Sequence, residues 1–353
     1  MTAAGPAAVL NLNFANMPNE VKNSKHRMLI VGTGSIGERH LRCYLETGRA
    51  EPGICEIDAD LRNAVADRYQ VQSQFSDVQE ALTESWDVVL VASPAHTHIP
   101  IALQACQSGC NVIIEKPLST SLDGIEQLRQ LITQKNLIAA VSYNLRSSPL
   151  VREMKAALDS GRFGKPLQLY MTSGQNFAYY RPAYRDTYFS DHRTGGGGIQ
   201  DSITHMLNLA EWLVGPMTRI SVDAGHQKLE GVTVEDTVHI LARHDTVMAS
   251  YALNMYQHPN HGQLTVVCEN GTVQFQASED RWRFMNEPDG QWHESVHRRE
   301  GRDAMYIRNA EVMLDVLERK YAPLCSLEDA LQTLRVNLAA LRSADTHSWQ
   351  DVS

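Results

Sequence analysis

Gly32, Gly34 and Gly37 stand in a GxGxxG that follows the apolar run Leu29, Ile30, Val31 and leads into Leu41, Tyr44 and Leu45. A strand that ends in a glycine turn and opens a helix aims backbone N–H groups and the positive end of the helix dipole at one spot, where a pyrophosphate fits. Gly32 permits the tight turn, Gly34 lets the backbone approach the phosphates, and Gly37 lets the helix close on the strand; Thr33, Ser35 and Ile36 complete the same cofactor loop. Glu56 lies on the next apolar segment, Gly53 to Ile57. A carboxylate at that strand end accepts the ribose hydroxyls and repels a 2′-phosphate, so the expected cofactor is NAD rather than NADP. Arg62 is close enough in sequence to neutralise a phosphate, and a merely solvated Glu56 is the plainer alternative.

Two more strand ends carry polar groups. After Val88 to Ala92 come Ser93, Pro94, Ala95, His96, Thr97 and His98, a turn that would lie alongside the cofactor. After Asn111 to Ile114 come Glu115, Lys116 and Pro117; a proline keeps the preceding residue extended, so Lys116 points into the cleft. Further on, a helix from Ile199 to Val214 buries Ile203, Leu207, Ala210 and Val214, with Asp201 and His205 together on an offset face. Taken alone, Asp201 reads as compensation of the helix dipole and His205 as a satisfied polar contact. The loop Gln175 to Gly198 holds Tyr179, Tyr180, Arg181, Tyr184, Arg185, Tyr188, His192 and Arg193. Aromatic faces and fixed donors on a long loop suit a polyhydroxylated ligand, and the arginines suit an acidic or phosphate-bearing one. A solvated or oligomer-contacting loop is the competing reading.

The elements that must position these groups follow from periodicity. Apolar runs at Met28 to Val31, Gly53 to Ile57, Val88 to Ala92, Asn111 to Glu115 and Leu137 to Tyr143 alternate with amphipathic segments, which predicts a parallel sheet covered by helices. Ser148 and Pro149 open a helix that runs to Asp159. Beyond it the pattern changes to strands around Leu167 to Met171, Ile220, Val238 to Leu241, Val247 to Leu253, Leu264 to Cys268 and Val273 to Phe275, with hairpin signals at Asn270–Gly271 and Asp289–Gly290. An antiparallel sheet with one covered face is expected, closed by helices at about Asp303 to Lys320 and Ser326 to Ser343. The fold class is α/β: a flexible arm over residues 1–26, a dinucleotide-binding domain over 27–147 and a substrate-binding and oligomerisation domain over 148–353.

A chain of 353 residues suits two domains, and 43% apolar with 21% charged residues is ordinary globular composition. The formal charge of −9 argues against nucleic acid as a partner. The longest apolar runs are strand length, well short of the roughly 20 residues a membrane span needs. The polar arm at the start does not read as a signal peptide, and six scattered cysteines read as reduced thiols rather than a metal site, which together point to the cytoplasm.

In combination these residues resemble the glucose-fructose oxidoreductase and inositol dehydrogenase (Gfo/Idh/MocA) family. The resemblance rests on the glycine turn followed by His40, Glu56, Ser93 and Pro94 with His98, then Glu115-Lys116-Pro117. It continues through Asn144 and Arg146 before Pro149, Gly164-Lys165-Pro166, and the glycine run with Asp201 and His205. It implies a Rossmann domain joined to an open, mainly antiparallel α/β domain, acting on a sugar, polyol or nucleotide sugar, with Asn144 and Glu115 among the cofactor contacts. By that similarity Lys116, Asp201 and His205 match the catalytic residues, and Arg146, Tyr180 and Arg185 fall among the substrate contacts. Ser202 and Thr204 flank Ile203 where the family often has a glycine before the histidine, which puts the helix entry in question. Oxidising a secondary alcohol needs a base at the hydroxyl and a cation that favours alkoxide character. His205 suits the base and Lys116 the cation, with Asp201 orienting substrate or imidazole; Lys116 as the base is the other possibility. Relatives of this fold include hydrolases that retain NAD, and a non-catalytic sugar-binding regulator is a third class. The family's oligomers use the exposed sheet face, so Val247, Ala249 and Tyr251 are expected to support a homo-dimer or homo-tetramer.

Overall fold

The structure is a computed structural model and describes residues 25–298 and 300–352. The expected arm falls outside these residues as far as position 24, and His26 already belongs to the first strand. That strand, β1 (His26–Val31), is followed by α1 (Ser35–Glu46), β2 (Ala50–Cys55), α2 (Ala59–Tyr69), β3 (Gln74–Phe75), α3 (Val78–Ala81), β4 (Val88–Val91), α4 (His98–Gln107), β5 (Asn111–Ile114), α5 (Ile125–Lys135) and β6 (Ala139–Val141). All six strands are parallel and lie in the order β3-β2-β1-β4-β5-β6. This is the dinucleotide-binding order, and its reversal between β1 and β4 opens a crevice at the strand tips. Strands buried on both faces must be apolar throughout, and Val88, Val89, Leu90 and Val91 are fully buried.

The second half runs α6 (Pro149–Asp159), β7 (Pro166–Asn176), α7 (Phe177–Tyr180), a π-helical turn (Gly198–Ile203), α8 (Thr204–Val214), β8 (Arg219–Gly225), β9 (Thr237–His244), β10 (Val247–Asn254), β11 (Tyr256–Cys268), β12 (Gly271–Gln276), β13 (Arg281–Met285), β14 (His293–Val296), α9 (Ala304–Leu317), α10 (Leu327–Thr346) and β15 (Gln350–Asp351). Its sheet has the order β14-β13-β12-β11-β7-β10-β9-β8-β15 and is antiparallel except where β7 and β10 run parallel. One face packs on α6, α8 and the second half of α10 through Val151, Met154, Leu207, Ala210, Val336 and Ala340. The other face is open, with Leu167, Tyr170, Leu241 and Met248 exposed.

The face assignment along β10 corrects the sequence reading. Val247, Ala249 and Tyr251 are buried against the helices, and it is Met248, Ser250 and Ala252 that alternate outward. A period of two fixes which residues share a face but not which face is covered, and the mixed apolar character of both sets hid the difference.

The closing helices tie the two sheets together. Ala310, Met313 and Leu314 of α9 complete the core beneath the first sheet. Along α10, Leu327, Ala330 and Leu334 join the first domain's core while Val336, Ala339 and Ala340 join the second. Ser326 caps α10 by accepting from the Asp329 N–H, and Asp329 reciprocates by accepting from the Ser326 N–H.

Candidate active site

The glycine turn is shaped for a phosphate. Gly32 has φ +87°, a conformation closed to most side chains, and a Cβ on Gly37 would lie 1.9 Å from the Gly32 carbonyl oxygen, so helix and turn are in backbone contact. A Cβ on Gly34, the N-terminal cap of α1, would meet nothing within 4 Å, and the first turn of α1 has no side-chain cap from it. Open space in front of uncapped N–H groups is what a dinucleotide pyrophosphate requires. Glu56 stands beside this turn: its carboxylate accepts from the Thr33 N–H at 2.8 Å and the Asp58 N–H at 3.2 Å. Arg62 donates to the Glu56 main-chain oxygen at 2.6 Å, which anchors its guanidinium at the same strand tip. Ser35 and Pro94 are exposed and Ile36 and Ser93 half-buried around this crevice.

The tip of β5 carries the next group of charged residues. Glu115 is buried and bonded to His40 Nε2 at 2.6 Å. Burial works to raise its pKa, but the His40 hydrogen bond and nearby positive charges win and hold it below the usual carboxylate value. Lys116 follows, and its Nζ donates to Asp201 Oδ1 at 2.7 Å and to the Asp201 main-chain oxygen at 2.9 Å. The Tyr188 hydroxyl donates to the same Oδ1 at 2.8 Å. Burial opposes the Lys116 charge, yet Asp201 outweighs it and keeps the ammonium protonated, above its ordinary pKa. For Asp201 the same contest, burial against Lys116, ends with the carboxyl pushed down to about 2.

His205 belongs to the same environment. Burial first, and then the Lys116 charge, push its pKa down to about 3, so the imidazole is neutral. Tyr143 meets it edge-on, ring centroids 6.0 Å apart, and the Tyr143 hydroxyl is bonded to Thr204 at 3.0 Å, which in turn accepts from Asn337 at 2.9 Å. Lys116 and Tyr188 both bond Oδ1 of Asp201, and no hydrogen bond joins Asp201 to the His205 ring among the described residues. The helix entry explains the geometry, because Asp201 lies in the π-turn and only His205 lies in α8, where a continuous α-helix from Ile199 was expected.

The two domains meet where Gly195, at φ +96°, faces Ala95; a Cβ there would lie 2.7 Å from the Ala95 Cβ. Several other candidate contacts have partners within the protein. His98 is buried with its ring nitrogens against the carbonyls of Ser93 (2.8 Å) and Pro117 (3.0 Å), so it ties the two cofactor-side loops together. Arg146, 2% exposed, donates to Asn208 and to the Leu324 carbonyl. Arg185 donates to the Glu230 carbonyl and Arg193 pairs with Asp191. Tyr180 is exposed and stacks edge-on with Tyr179. Asn144 is buried at the β6 tip with its Oδ1 unpartnered in the structure. Tyr188 and Arg181, which was one arginine among three in the sequence, are the additional side chains at the reacting cluster. Only the density of aromatics and arginines in the loop signalled them.

This is the site of a dinucleotide-binding two-domain protein. Residues 26–143 match the model described as the oxidoreductase family with an NAD-binding Rossmann fold, and residues 151–274 match the GFO/IDH/MocA C-terminal domain. An inositol 2-dehydrogenase of Acidothermus cellulolyticus is 30% identical over 259 residues, 70% of this chain and 72% of that protein. A levoglucosan dehydrogenase of Pseudarthrobacter phenanthrenivorans is 25% identical over 202 residues, 54% of this chain and 52% of that one. With several curated relatives the sequence match spans about half of their length. Among solved structures, levoglucosan dehydrogenase in complex with NADH and levoglucosan superposes with a TM-score of 0.84 at 20% identity, covering 93% of this chain and 100% of that chain, a likeness of fold. The chain belongs to the Gfo/Idh/MocA oxidoreductase family.

Proposed function

We propose that this protein is an NAD-dependent dehydrogenase that oxidises a secondary hydroxyl of a sugar-like substrate. The observation that carries the reading is the meeting of a charged Lys116 from one domain with Asp201 and a neutral His205 from the other, beside the glycine turn. NAD, when bound, supplies the hydride acceptor; Gly32 to Gly37, with Glu56 at the ribose end, are the residues suited to hold it. Lys116 spends two of its N–H groups on Asp201 and keeps the third for the reacting oxygen, where its charge stabilises alkoxide character. His205 has no hydrogen-bond partner among the described residues and is neutral, so its ring can accept the hydroxyl proton. Lys116 as the base is disfavoured because Asp201 keeps it protonated. The relatives named as inositol and levoglucosan dehydrogenases support a sugar or polyol as substrate.

Arg181 supports a finer reading, a substrate with an anionic substituent. Of the three loop arginines, Arg185 and Arg193 are engaged by Glu230 and Asp191, whereas Arg181 lies over Phe177 with no acidic partner among the described residues. The exposed apolar residues of the open sheet face support a homo-oligomer formed across that face. The test is a spectrophotometric NAD-reduction screen over polyols, neutral sugars, sugar acids and nucleotide sugars. NADH formation with a member of the panel is expected; tightly retained cofactor with no net turnover would redirect the reading to a hydrolase.

A further inference from the structure

The residue pair that holds the π-turn lies outside this set of reacting groups. Gly198 and Ile199 begin the turn, and their N–H groups have no earlier carbonyl of the same turn to bond. Glu235, just ahead of β9, supplies both acceptors. Its main-chain oxygen takes the Gly198 N–H at 2.9 Å and its Oε1 takes the Ile199 N–H at 2.7 Å. The other carboxylate oxygen, Oε2, is bonded to His192 Nε2 at 2.5 Å, and the His192 carbonyl accepts from Gln200 Nε2 at 2.8 Å. A Cβ on Gly197, at φ +88°, would lie 2.8 Å from both Glu235 oxygens and from His192 Nε2, so the chain passes in contact with the pair. The base beneath it is fixed, because Asp236 accepts from the N–H groups of Gln227, Lys228 and Leu229.

We propose that Glu235 is a positioning residue for the reaction: it caps the π-turn that presents Asp201 to Lys116, and His192 supplies the charge that lets this buried carboxylate stay there. Asp201 is two residues beyond Ile199 and engages Lys116 through its backbone oxygen as well as its side chain, so a shift of the turn moves both acceptors at once. Glu235 is nearly buried, and an unpaired buried carboxylate is costly; His192 is half-exposed at the rim. Asp191 and Asp345 also face His192, Arg193 is paired with Asp191, and the net effect, led by the Glu235 hydrogen bond, is to raise the His192 pKa. His192 therefore carries its charge below the raised value and loses it as pH rises through that value, which leaves the carboxylate without a cationic partner.

The inference rests on Lys116 and Asp201 being part of the reacting cluster, and its test has one arm that needs no turnover. Glu235→Ala removes the cap; kcat is expected to fall about tenfold or more with KM for NAD little changed, as displacement by an ångström suffices for that. Glu235→Gln keeps an oxygen for Ile199 and an amide N–H for neutral His192, so it restores most of kcat at alkaline pH. It gains an acid limb near the ordinary histidine pKa of about 6.5, where a protonated His192 turns the amide oxygen away from Ile199. In the turnover-free arm, acylation of Lys116 by acetic anhydride, read by peptide mass, should be about tenfold faster in Glu235→Ala because the ammonium is released from Asp201. Acylation and kcat within about twofold of the parent would overturn the proposal, as would a lowered melting temperature with unchanged kcat and pH profile. Should Glu235→Ala not fold, a Glu235→Gln profile identical to the parent's overturns it equally. If the parent oxidises nothing in the substrate panel, the dehydrogenase reading fails while the acylation arm still decides the cap.

Discussion

One residue grips the Lys116 ammonium at two points across the domain boundary: Asp201 accepts from it through its carboxylate at 2.7 Å and through its main-chain oxygen at 2.9 Å. Two fixed acceptors give a flexible side chain one orientation, with a single N–H left for a ligand oxygen. Lys116→Met is expected to lower kcat by about 10²- to 10⁴-fold, the range of a positioned acid–base group. Asp201→Asn preserves shape but removes the charge that outweighs burial, so Lys116 loses its proton more readily. The alkaline fall in the variant's kcat should come at lower pH than in the parent, visible in a steady-state pH profile.

Half-buried and beside a cation, His205 titrates at about 3 in the fold against 6.5 in a free chain. The unfolded chain therefore binds the proton first as pH falls, and stability on this account is complete above pH 6.5 and is lost progressively between there and about 3. His205→Asn removes that dependence. Melting temperatures measured across this window should fall less steeply for the variant than for the parent, while NAD reduction is lost at neutral pH. A parallel slope in the two proteins would contradict the burial of a neutral imidazole.

Much of this was legible in the chain because it depends on local pattern. The glycine turn, the parallel strands and Lys116 at a strand tip follow from short-range sterics and periodicity, and the structure has them where those rules put them. The helix entry was not legible, since whether residues 198–203 wind as α or π depends on acceptors that Glu235 and His192 bring from elsewhere. The surroundings of Arg146 were hidden for a similar reason: its partners, Asn208 and Leu324, are distant in sequence, and an arginine in a motif does not announce that it will be buried. Amphipathic α9 was evident as a helix, but a stripe says that a face is covered and not that the first domain covers it.

Glu56 occupies the strand end beside the glycine turn, with its carboxylate fixed by Thr33 and its main-chain oxygen held by Arg62. Removing the carboxylate leaves Arg62 to dominate the position. Glu56→Ala is expected to lower the NAD to NADP ratio of kcat/KM by about tenfold, roughly 1.4 kcal/mol in discrimination. Initial rates with the two cofactors check it, and an unchanged ratio would remove Glu56 from cofactor selection.

Leu241 is 58% exposed and Met248 54% exposed on the open sheet face. If that face is where copies of the chain associate, two buried glutamates there would leave unpaired charges in the interface, each a large cost. The Leu241→Glu, Met248→Glu variant should scatter light as a single chain at concentrations where the parent scatters as a dimer or larger. A parent of one-chain mass, or a variant of unchanged oligomeric mass, would contradict association through this face.

Arg181 carries its charge toward Asp201, Tyr188 and His205: it adds to the lowering of the Asp201 and His205 pKa values and opposes the rise that burial causes at Tyr188. A guanidinium in that position binds a carboxylate bidentately and has little to offer a neutral polyol. Arg181→Ala is therefore expected to raise KM for a sugar acid by about tenfold or more while leaving KM for a neutral polyol within about twofold, a loss of uniform binding rather than of transition-state stabilisation. Kinetics on one acidic and one neutral substrate from the screen provide the comparison. Equal losses on both would mean that Arg181 acts on the Lys116–Asp201 pair itself, through the field it adds, and not on the substrate's charge.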